Sequence, residues 1–311
     1  MNARNLNKSG KIGVDKAGLR DWAAATRPFA FSASALGVLV GTAAAARIPQ
    51  WRWDVLAAEL VAVVLMHAIG NLLNDYYDYL SGVDARTEDD EGRPGRFLVK
   101  GILLPKDVLR LVLILSIPLA PMGALLIRIG GWPVAAIAVV GLLGAYAYTG
   151  PPFALKYRRL GELCIFIVYG PAVVIGAGYM QALKVTPKML LYSILLGMLI
   201  TAIVSANNLR DIEEDGRAKV RTLACVLGRK IYLPIYLALM FGPAAIIIGL
   251  VVSGAAPAWL LLGLLALPIG LAPARFALLN IRRPDADALT AKYMTAFGGL
   301  IFLALVLAGA P

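Results

Sequence analysis

The sequence predicts an all-α polytopic membrane protein. Of its 311 residues, 59% are hydrophobic and only 16% are charged, whereas about 25% of the residues in a soluble domain are charged. The apolar residues form blocks of about 18 to 23 residues, the length at which a helix crosses about 30 Å of hydrocarbon. Two cysteines, Cys164 and Cys225, are too few for a disulfide framework or a thiolate metal site.

Nine of these blocks are predicted to be transmembrane helices. They cover roughly residues 29–46, 55–73, 107–127, 132–148, 162–182, 188–206, 231–253, 257–279 and 291–309. Proline and glycine occur inside several blocks, which membrane helices tolerate where neighbouring helices satisfy the freed backbone groups. We expect one transmembrane domain, 29–309. It follows a basic segment, 1–28, that has no apolar core with a cleavage site and so does not read as a signal peptide.

Lysine and arginine are distributed unevenly between the two sides of the predicted helices. Most of them lie in the N-terminal segment and in the loops after helices 2, 4, 6 and 8. The positive-inside rule then places the N-terminus and these loops in the cytoplasm and the C-terminus outside, as in a multi-pass protein of the cell membrane. The net charge of +11 is explained by these loops and by anionic lipid headgroups. We therefore expect the lipid bilayer as a partner and no nucleic acid.

Two polar motifs follow predicted helices 2 and 6. Asn74 and Asp78 are four residues apart, and so are Asn207 and Asp211. A further aspartate follows each pair, so that the motifs cover 74–84 and 207–215. The matched spacing predicts an internal repeat, with one motif at the cytoplasmic end of the second helix of each copy.

The spacing of these motifs predicts a metal site. Residues four apart share a helix face, so Asn207, Asp211 and Asp215 are predicted to form one stripe of oxygen ligands. Carboxylate and amide oxygens suit Mg²⁺, which is often held by one or two carboxylates plus substrate phosphates. The candidate ligands are Asn74, Asp78, Asp84, Asn207, Asp211 and Asp215. Solvated helix ends are the alternative interpretation, and the matched copies favour the metal site.

Basic residues close to both motifs could bind a diphosphate held by the metal. Lysine and arginine would neutralise the charge that such a leaving group acquires as its bond breaks. The candidates are Lys156 and Arg158, which share a loop with Tyr148, and Arg210, Lys219 and Arg221 beside the second motif. Each of them could equally serve as an anchor at the cytoplasmic face.

Four segments carry a family resemblance. "RPFAFSASALGVLVG", "NDYYDYLSGVD", "YTGPPFALKYRRLGE" and "NNLRDIEEDGRAKVRTLACVLG" resemble the UbiA superfamily of intramembrane prenyltransferases. Within it, they look most like the 1,4-dihydroxy-2-naphthoate polyprenyltransferase branch. The resemblance implies nine helices around a central cavity with a polar cytoplasmic cap. It also implies that the two Asp-rich motifs hold Mg²⁺ and an isoprenyl diphosphate. Val220 departs from the pattern, because the branch usually has a glycine near this position.

The resemblance also implies the reaction. An allylic diphosphate loses its leaving group, and an electron-rich ring carbon of an aromatic acceptor attacks the allylic carbon. The candidate catalytic residues are Asp78, Asp211, Lys156 and Tyr148. The candidate substrate-binding residues are Asn74, Asn207, Arg158, Arg210, Lys219, Arg221 and His67. The basic residues are candidates because they lie close to the motifs, and His67 because it is an ionisable residue inside a predicted span. For His67, the single histidine, the alternative role is a neutral imidazole hydrogen-bonded between helices.

Two alternative functions remain open from the sequence. One is a superfamily enzyme with another acceptor, namely 4-hydroxybenzoate, homogentisate, chlorophyllide, haem or a glycerol phosphate. The other is a membrane cation transporter, whose polar ligands would lie near the bilayer midplane on broken helices. Because the acids here lie at helix ends, the enzyme is the favoured interpretation.

Overall fold

The computed structural model describes residues 17–83, 97–217 and 220–308, which form helices and turns and no strand. The helices are α1 Leu19–Ala25, α2 Phe31–Ala45, α3 Trp53–Leu80, α4 Pro105–Gly130, α5 Trp132–Ala147, α6 Gly161–Ile167, α7 Gly176–Ala182, α8 Pro187–Arg210, α9 Ile212–Arg217, α10 Leu223–Val252, α11 Leu267–Leu278 and α12 Ala286–Ala308. A π-helical segment, Val168–Ile175, joins α6 to α7, and a 3-10 segment, Ala258–Ala266, precedes α11.

Within the described ranges, eight helical segments are long and apolar enough to cross a membrane, and the chain is an integral membrane protein. These segments are Pro28–Ala45, Trp53–Leu80, Pro105–Gly130, Gly161–Ala182, Pro187–Arg210, Leu223–Val252, Ala258–Leu278 and Ala286–Ala308. The remaining predicted block forms α5, an apolar helix of 16 residues. The all-α prediction is therefore confirmed. The count of nine crossings stays a prediction, because α5 is shorter than the roughly 20 residues of a typical crossing.

Three of the long helices depart from regular α-helical geometry where proline or glycine interrupts them. Pro171 lies in the π-helical segment, and Gly228 adopts a left-handed conformation, with φ of 70°, inside α10. Pro268 follows the 3-10 segment, and proline cannot donate the i→i−4 hydrogen bond and crowds the carbonyl four residues earlier. The predicted span 257–279 is therefore two segments of different pitch.

Helix α8 lies at the centre of the bundle. In the most apolar stretch of α8, 72% of the residues are buried, a larger share than in the same stretch of any other span in the described chain. It packs against α2, α10, α12 and the π-helical segment. The contact with the π-helical segment is close because glycines face each other: a Cβ on Gly170 would lie 2.9 Å from the Cα of Gly197. Small residues allow membrane helices to approach in this way.

A cavity of about 850 Å³ lies inside the bundle. Helices α3, α4, α5 and α8 contribute to its wall, as do the segments from α6 to α7. Helix α4 lines the cavity, and only 6% of its most apolar stretch is buried, so most of α4 faces either the cavity or the outside. The central cavity expected from the resemblance is therefore present.

Candidate active site

Asn74 and Asp78 of the first motif lie on the last turns of α3. This helix continues beyond the predicted end at residue 73 and stops at Leu80, with Ser81 as its C-cap. The amide of Asn74 donates a hydrogen bond to Asp78 at 3.3 Å between Nδ2 and Oδ2. Asp78 is buried. The amide oxygen of Asn74 is also buried and has no hydrogen-bond partner within the described chain.

A loop between α5 and α6 brings a cation and a phenol to Asp78. Lys156 Nζ lies 2.7 Å from Asp78 Oδ2, and the hydroxyl of Tyr157 donates a hydrogen bond to Oδ1. The backbone N–H of Lys156 donates to the carbonyl oxygen of Tyr148 at 2.9 Å, which joins the two predicted loop residues. The turn depends on Ala154, whose φ of 43° is left-handed.

The electrostatics of this loop favour a charged lysine and a neutral tyrosine. Burial acts to lower the pKa of Lys156, but the neighbouring Asp78 carboxylate outweighs it and raises this pKa well above its usual value. Burial raises the pKa of Tyr148. Lys156 is therefore an ammonium, and Tyr148 a neutral phenol that can donate a hydrogen bond.

The second motif lies where α8 ends. Arg210 donates to both carboxylate oxygens of Asp211, at 2.8 and 3.0 Å. It also donates to Asn207 Oδ1 and, at 2.6 Å, to the carbonyl oxygen of Pro284. From the sequence, Arg210 was predicted to bind substrate. In the structure, its guanidinium group links Asn207, Asp211 and the loop that precedes α12.

The predicted helical stripe through Asn207, Asp211 and Asp215 is interrupted. Helix α8 ends at Arg210, Asp211 is its C-cap, and the short helix α9 begins at Ile212. Aspartate is a poor helix former that favours the position directly before a helix, and Asp211 directly precedes α9. Two backbone hydrogen bonds nevertheless cross the break: Asp211 N–H to Asn207 C=O at 3.1 Å, and Asp215 N–H to Asp211 C=O at 2.8 Å. The spacing of one turn is thus kept across two helices.

Most of the predicted site residues line the same cavity. They are His67, Asn74, Asp78, Tyr148, Lys156, Asn207, Arg210, Asp211 and Asp215. We call the region around Asn74, Asp78, Asn207 and Asp211 the polar end of the cavity. Arg158 and Arg221 are exposed and are not among the residues that line it. Asp84 and Lys219 lie outside the described residues.

Sequence reasoning missed several polar residues of this cavity. Arg27 forms an ion pair with the buried carboxylate of Asp75, and both line the cavity. Asp287, at the start of α12, also lines it and lies 3.8 Å from Arg210. Asp75 directly follows Asn74, which could have identified it. Arg27 begins the quoted segment RPFAFSASALGVLVG, but nothing local relates Arg27 or Asp287 to the cavity, because they reach it from distant parts of the chain.

Behind the second motif lies a buried hydrogen-bond network. Asn208 Nδ2 donates to Glu162 Oε1 at 2.9 Å, and the hydroxyl of Tyr232 donates to the same oxygen. These three residues belong to α8, α6 and α10. The carboxylate of Glu162 therefore fixes the end of α8 relative to two neighbouring helices.

His67 lies between the polar end and the apolar part of the cavity. Its Nδ1 shares a hydrogen bond with the hydroxyl of Ser34 on α2. The rings of Phe31 and Tyr169 lie 5.7 and 5.0 Å from the imidazole. Among the aromatic residues, Phe29, Tyr148 and Tyr169 line the cavity, whereas Tyr76, Tyr77, Tyr146 and Phe153 are not among the lining residues.

The donor atoms at the polar end fit a hard divalent cation. They are carboxylate and amide oxygens, and the unpartnered amide oxygen of Asn74 is available to a ligand. In the part of the chain that the structure describes, no group of three or more acidic, histidine or cysteine side chains is arranged to hold a metal by itself. Mg²⁺ needs no such group, since it retains waters and binds one or two carboxylates plus phosphate oxygens.

Comparison with known proteins identifies the family. Residues 34–306 match the UbiA prenyltransferase family. The chain belongs to the UbiA family. The resemblance noted in the sequence is thus confirmed, and the protein is a prenyltransferase.

Named relatives of this UbiA-family chain include two bacterial enzymes and one vertebrate protein. The chain is 34% identical over 244 residues to 1,4-dihydroxy-2-naphthoate octaprenyltransferase of Bacillus subtilis (strain 168), covering 78% of this chain and 77% of the relative. Identity to the Mycobacterium tuberculosis enzyme of the same name is 33% over 258 residues, covering 82% and 85%. UbiA prenyltransferase domain-containing protein 1 of Xenopus tropicalis is 38% identical over 226 residues, covering 70% and 63%.

Solved structures of UbiA homologues share the fold. The homologue from Archaeoglobus fulgidus bound to GPP and Mg²⁺ superposes with a TM-score of 0.59 at 14% identity, covering 90% of this chain and 99% of the other. The homologue from Aeropyrum pernix K1 gives a TM-score of 0.64 at 19% identity, covering 88% and 96%. The UbiA-like helical architecture is therefore established for this chain.

Proposed function

We propose that this prenyltransferase transfers a polyprenyl group from an isoprenyl diphosphate to 1,4-dihydroxy-2-naphthoate, with Mg²⁺ as its cofactor. One observation carries the proposal: both Asn-x-x-x-Asp motifs line one cavity, beside Lys156 and Arg210. The polar end offers oxygen ligands for a divalent cation and charged donors for a diphosphate. The other walls are mostly aliphatic, which suits an isoprenoid tail.

The residues of the two motifs are the proposed cation ligands. They are Asn74, Asp78 and Asp84 from the first motif, and Asn207, Asp211 and Asp215 from the second. When bound, Mg²⁺ would withdraw negative charge from the diphosphate leaving group. The structural support is the oxygen-rich donor set and the unpartnered amide oxygen of Asn74.

Lys156 is proposed to stabilise the leaving diphosphate. As the C1–O bond of the donor breaks, its electron pair moves onto the diphosphate, and a fixed ammonium nearby lowers the energy of that charge. Tyr148 can donate a further hydrogen bond to the leaving group. The aromatic faces of Tyr148 and Tyr169, which line the cavity, would stabilise the positive charge on the allylic carbon.

We place the acceptor ring between the diphosphate and His67. His67 lines the cavity and shares a hydrogen bond with Ser34. On α3 it precedes Asn74 by about two helical turns of about 3.6 residues each. The ring carbon that bears the carboxyl group forms the new bond to the allylic carbon. The carboxylate then leaves as CO₂, and the electron pair of its bond to the ring restores the aromatic ring.

The choice of acceptor is supported by the named relatives. Two bacterial relatives that align with most of this chain are named as 1,4-dihydroxy-2-naphthoate octaprenyltransferases. The reaction is predicted to be a step of menaquinone biosynthesis.

The polar end is proposed to face the cytoplasm, because the loops around it are rich in lysine and arginine. A reporter fused to the C-terminus should then be detected outside the cell membrane.

Mass spectrometry of reaction products tests the proposal. Purified protein in lipid nanodiscs is supplied with Mg²⁺, a series of prenyl diphosphates and a panel of acceptors that includes 4-hydroxybenzoate and homogentisate. We expect prenylated, decarboxylated product from 1,4-dihydroxy-2-naphthoate and loss of product after chelation of the metal. Product from another acceptor alone would overturn the acceptor assignment. Metal-independent turnover would overturn the role of Mg²⁺.

A further inference from the structure

The cavity contains a carboxyl group far from its polar end. Glu59 lines the cavity on α3, and only 8% of its surface is exposed. Its Oε2 atom is buried and has no hydrogen-bond partner in the described part of the chain. No step of the proposed reaction uses this residue. An ionisable group inside a membrane span is costly, which makes Glu59 a candidate functional residue.

The position of Glu59 follows from the face that α3 presents to the cavity. Among the residues of α3 that line the cavity, a series recurs at the spacing of one helix face: Glu59, Val63, Met66, Gly70, Asn74 and Asp78. Asn74 follows Glu59 by about 15 residues, which corresponds to about 22 Å along a helix axis. Glu59 is the first residue of α3 to line the cavity. It therefore lies at the end opposite the two motifs.

The surroundings of this opposite end are apolar. Val55, one turn before Glu59, belongs to a buried cluster with Leu126, Val134 and Met180. The last three of these also line the cavity. An isoprenoid tail whose diphosphate is bound at the polar end would therefore contact aliphatic side chains along the cavity, and only its far end would reach the carboxyl group of Glu59.

We propose that Glu59 limits the length of isoprenoid tail that the cavity holds. This inference rests on the proposed function, in which the tail occupies the apolar part of the cavity. In either protonation state a carboxyl group carries hydrogen-bonding atoms that hydrocarbon cannot satisfy. Glu59 keeps 8% of its surface exposed, and a tail segment that covers it would remove the remaining water without replacing its hydrogen bonds, which is unfavourable. Longer tails therefore leave the cavity toward the lipid before they reach this residue.

Binding of donors of increasing length tests this inference. The dissociation constants of prenyl diphosphates with successive numbers of isoprene units are measured for the full-length protein in nanodiscs, with Mg²⁺ present. In the wild-type protein, affinity rises with each added unit that is buried and reaches a plateau at one tail length. In Glu59→Leu, we expect the plateau to move to a longer tail. The first extra unit should tighten binding about tenfold, the usual effect of one buried polar group left unsatisfied.

Two further variants separate polarity from other effects. Glu59→Gln keeps a polar group of similar size and should keep the wild-type plateau. Val61→Leu, which changes an exposed position of the same helix, should keep it as well. An unchanged plateau in Glu59→Leu, or an equal shift in Glu59→Gln, would overturn the role of Glu59. Failure of the wild-type protein to bind any prenyl diphosphate would instead overturn the proposed function.

Discussion

Lys156 and Asp78 form an ion pair between a loop and a membrane helix, with 2.7 Å between Nζ and Oδ2. The two residues are far apart in the sequence, and the side chains of both are largely buried. Breaking one partner of such a pair leaves the other charge uncompensated. This ion pair therefore holds the loop between α5 and α6 against the first Asn-x-x-x-Asp motif.

Replacement of Lys156 should slow the chemical step. We expect Lys156→Met to lower kcat by about 100-fold or more, since loss of one fixed donor to a developing anion has effects of this size. The measurement is diphosphate release at saturating donor and acceptor. Lys188→Met, at an exposed lysine, is the matched control. Wild-type kcat in Lys156→Met would remove this lysine from the proposed mechanism.

The aspartates of the two motifs should each be required for turnover. Asp78→Ala and Asp211→Ala are expected to abolish prenyl transfer and to weaken the Mg²⁺-dependent binding of inorganic diphosphate, while the protein stays inserted in the membrane. Binding is measured by calorimetry, which does not depend on turnover. Asp54→Ala serves as the control, because its carboxylate is largely exposed. Retained activity in either motif variant would contradict the assignment of the cation site.

The network behind the second motif should contribute to stability. Tyr232 is fully buried and donates a hydrogen bond to Glu162. Tyr232→Phe removes this donor but leaves the hydrogen bond from Asn208. We expect a loss of about 1 kcal/mol in the free energy of unfolding, seen as a lower Tm in detergent. Tyr79→Phe, at a partly exposed position, should leave Tm unchanged, and an unchanged Tm in Tyr232→Phe would show that the hydrogen bond contributes nothing.

The close approach of α8 to the π-helical segment should make Gly170 intolerant of any side chain. A Cβ at this position would lie 2.6 Å from the carbonyl oxygen of Ser193 and 2.9 Å from the Cα of Gly197. Because both are backbone atoms, relief requires a shift of a helix, and overpacking of this kind costs about 1–3 kcal/mol. Gly170→Ala should therefore lower the yield of folded protein and its Tm in detergent.

Gly249 offers the matched control for this substitution. It lies within α10, and a Cβ there would meet no other part of the described chain within 4 Å beyond its own stretch of helix. We expect Gly249→Ala to keep or raise Tm, because alanine favours a helix by up to about 1 kcal/mol relative to glycine. Equal effects of the two substitutions would show that the helix contact at Gly170 is unimportant.

Features that depend on a single stretch of chain could be predicted from the sequence. A membrane crossing requires about 20 consecutive apolar residues, and all nine predicted blocks contain helix in the structure. The spacing of Asn74 and Asp78, and of Asn207 and Asp211, predicted two sets of oxygen atoms. The structure places both sets in one cavity. The interruption at Asp211 was not predicted, because helix ends depend on the partners of the end residues, here Arg210.

Contacts between distant segments were decided by the tertiary structure alone. Lysine and arginine near a helix end look alike in the sequence, yet Lys156 is turned into the cavity and Arg158, two residues later, is exposed. The pairing of Arg27 with Asp75 and the isolation of Glu59 are likewise invisible in the sequence. The physical reason is that hydropathy and helical periodicity are local properties. The partner of a buried charge depends on which helices pack together.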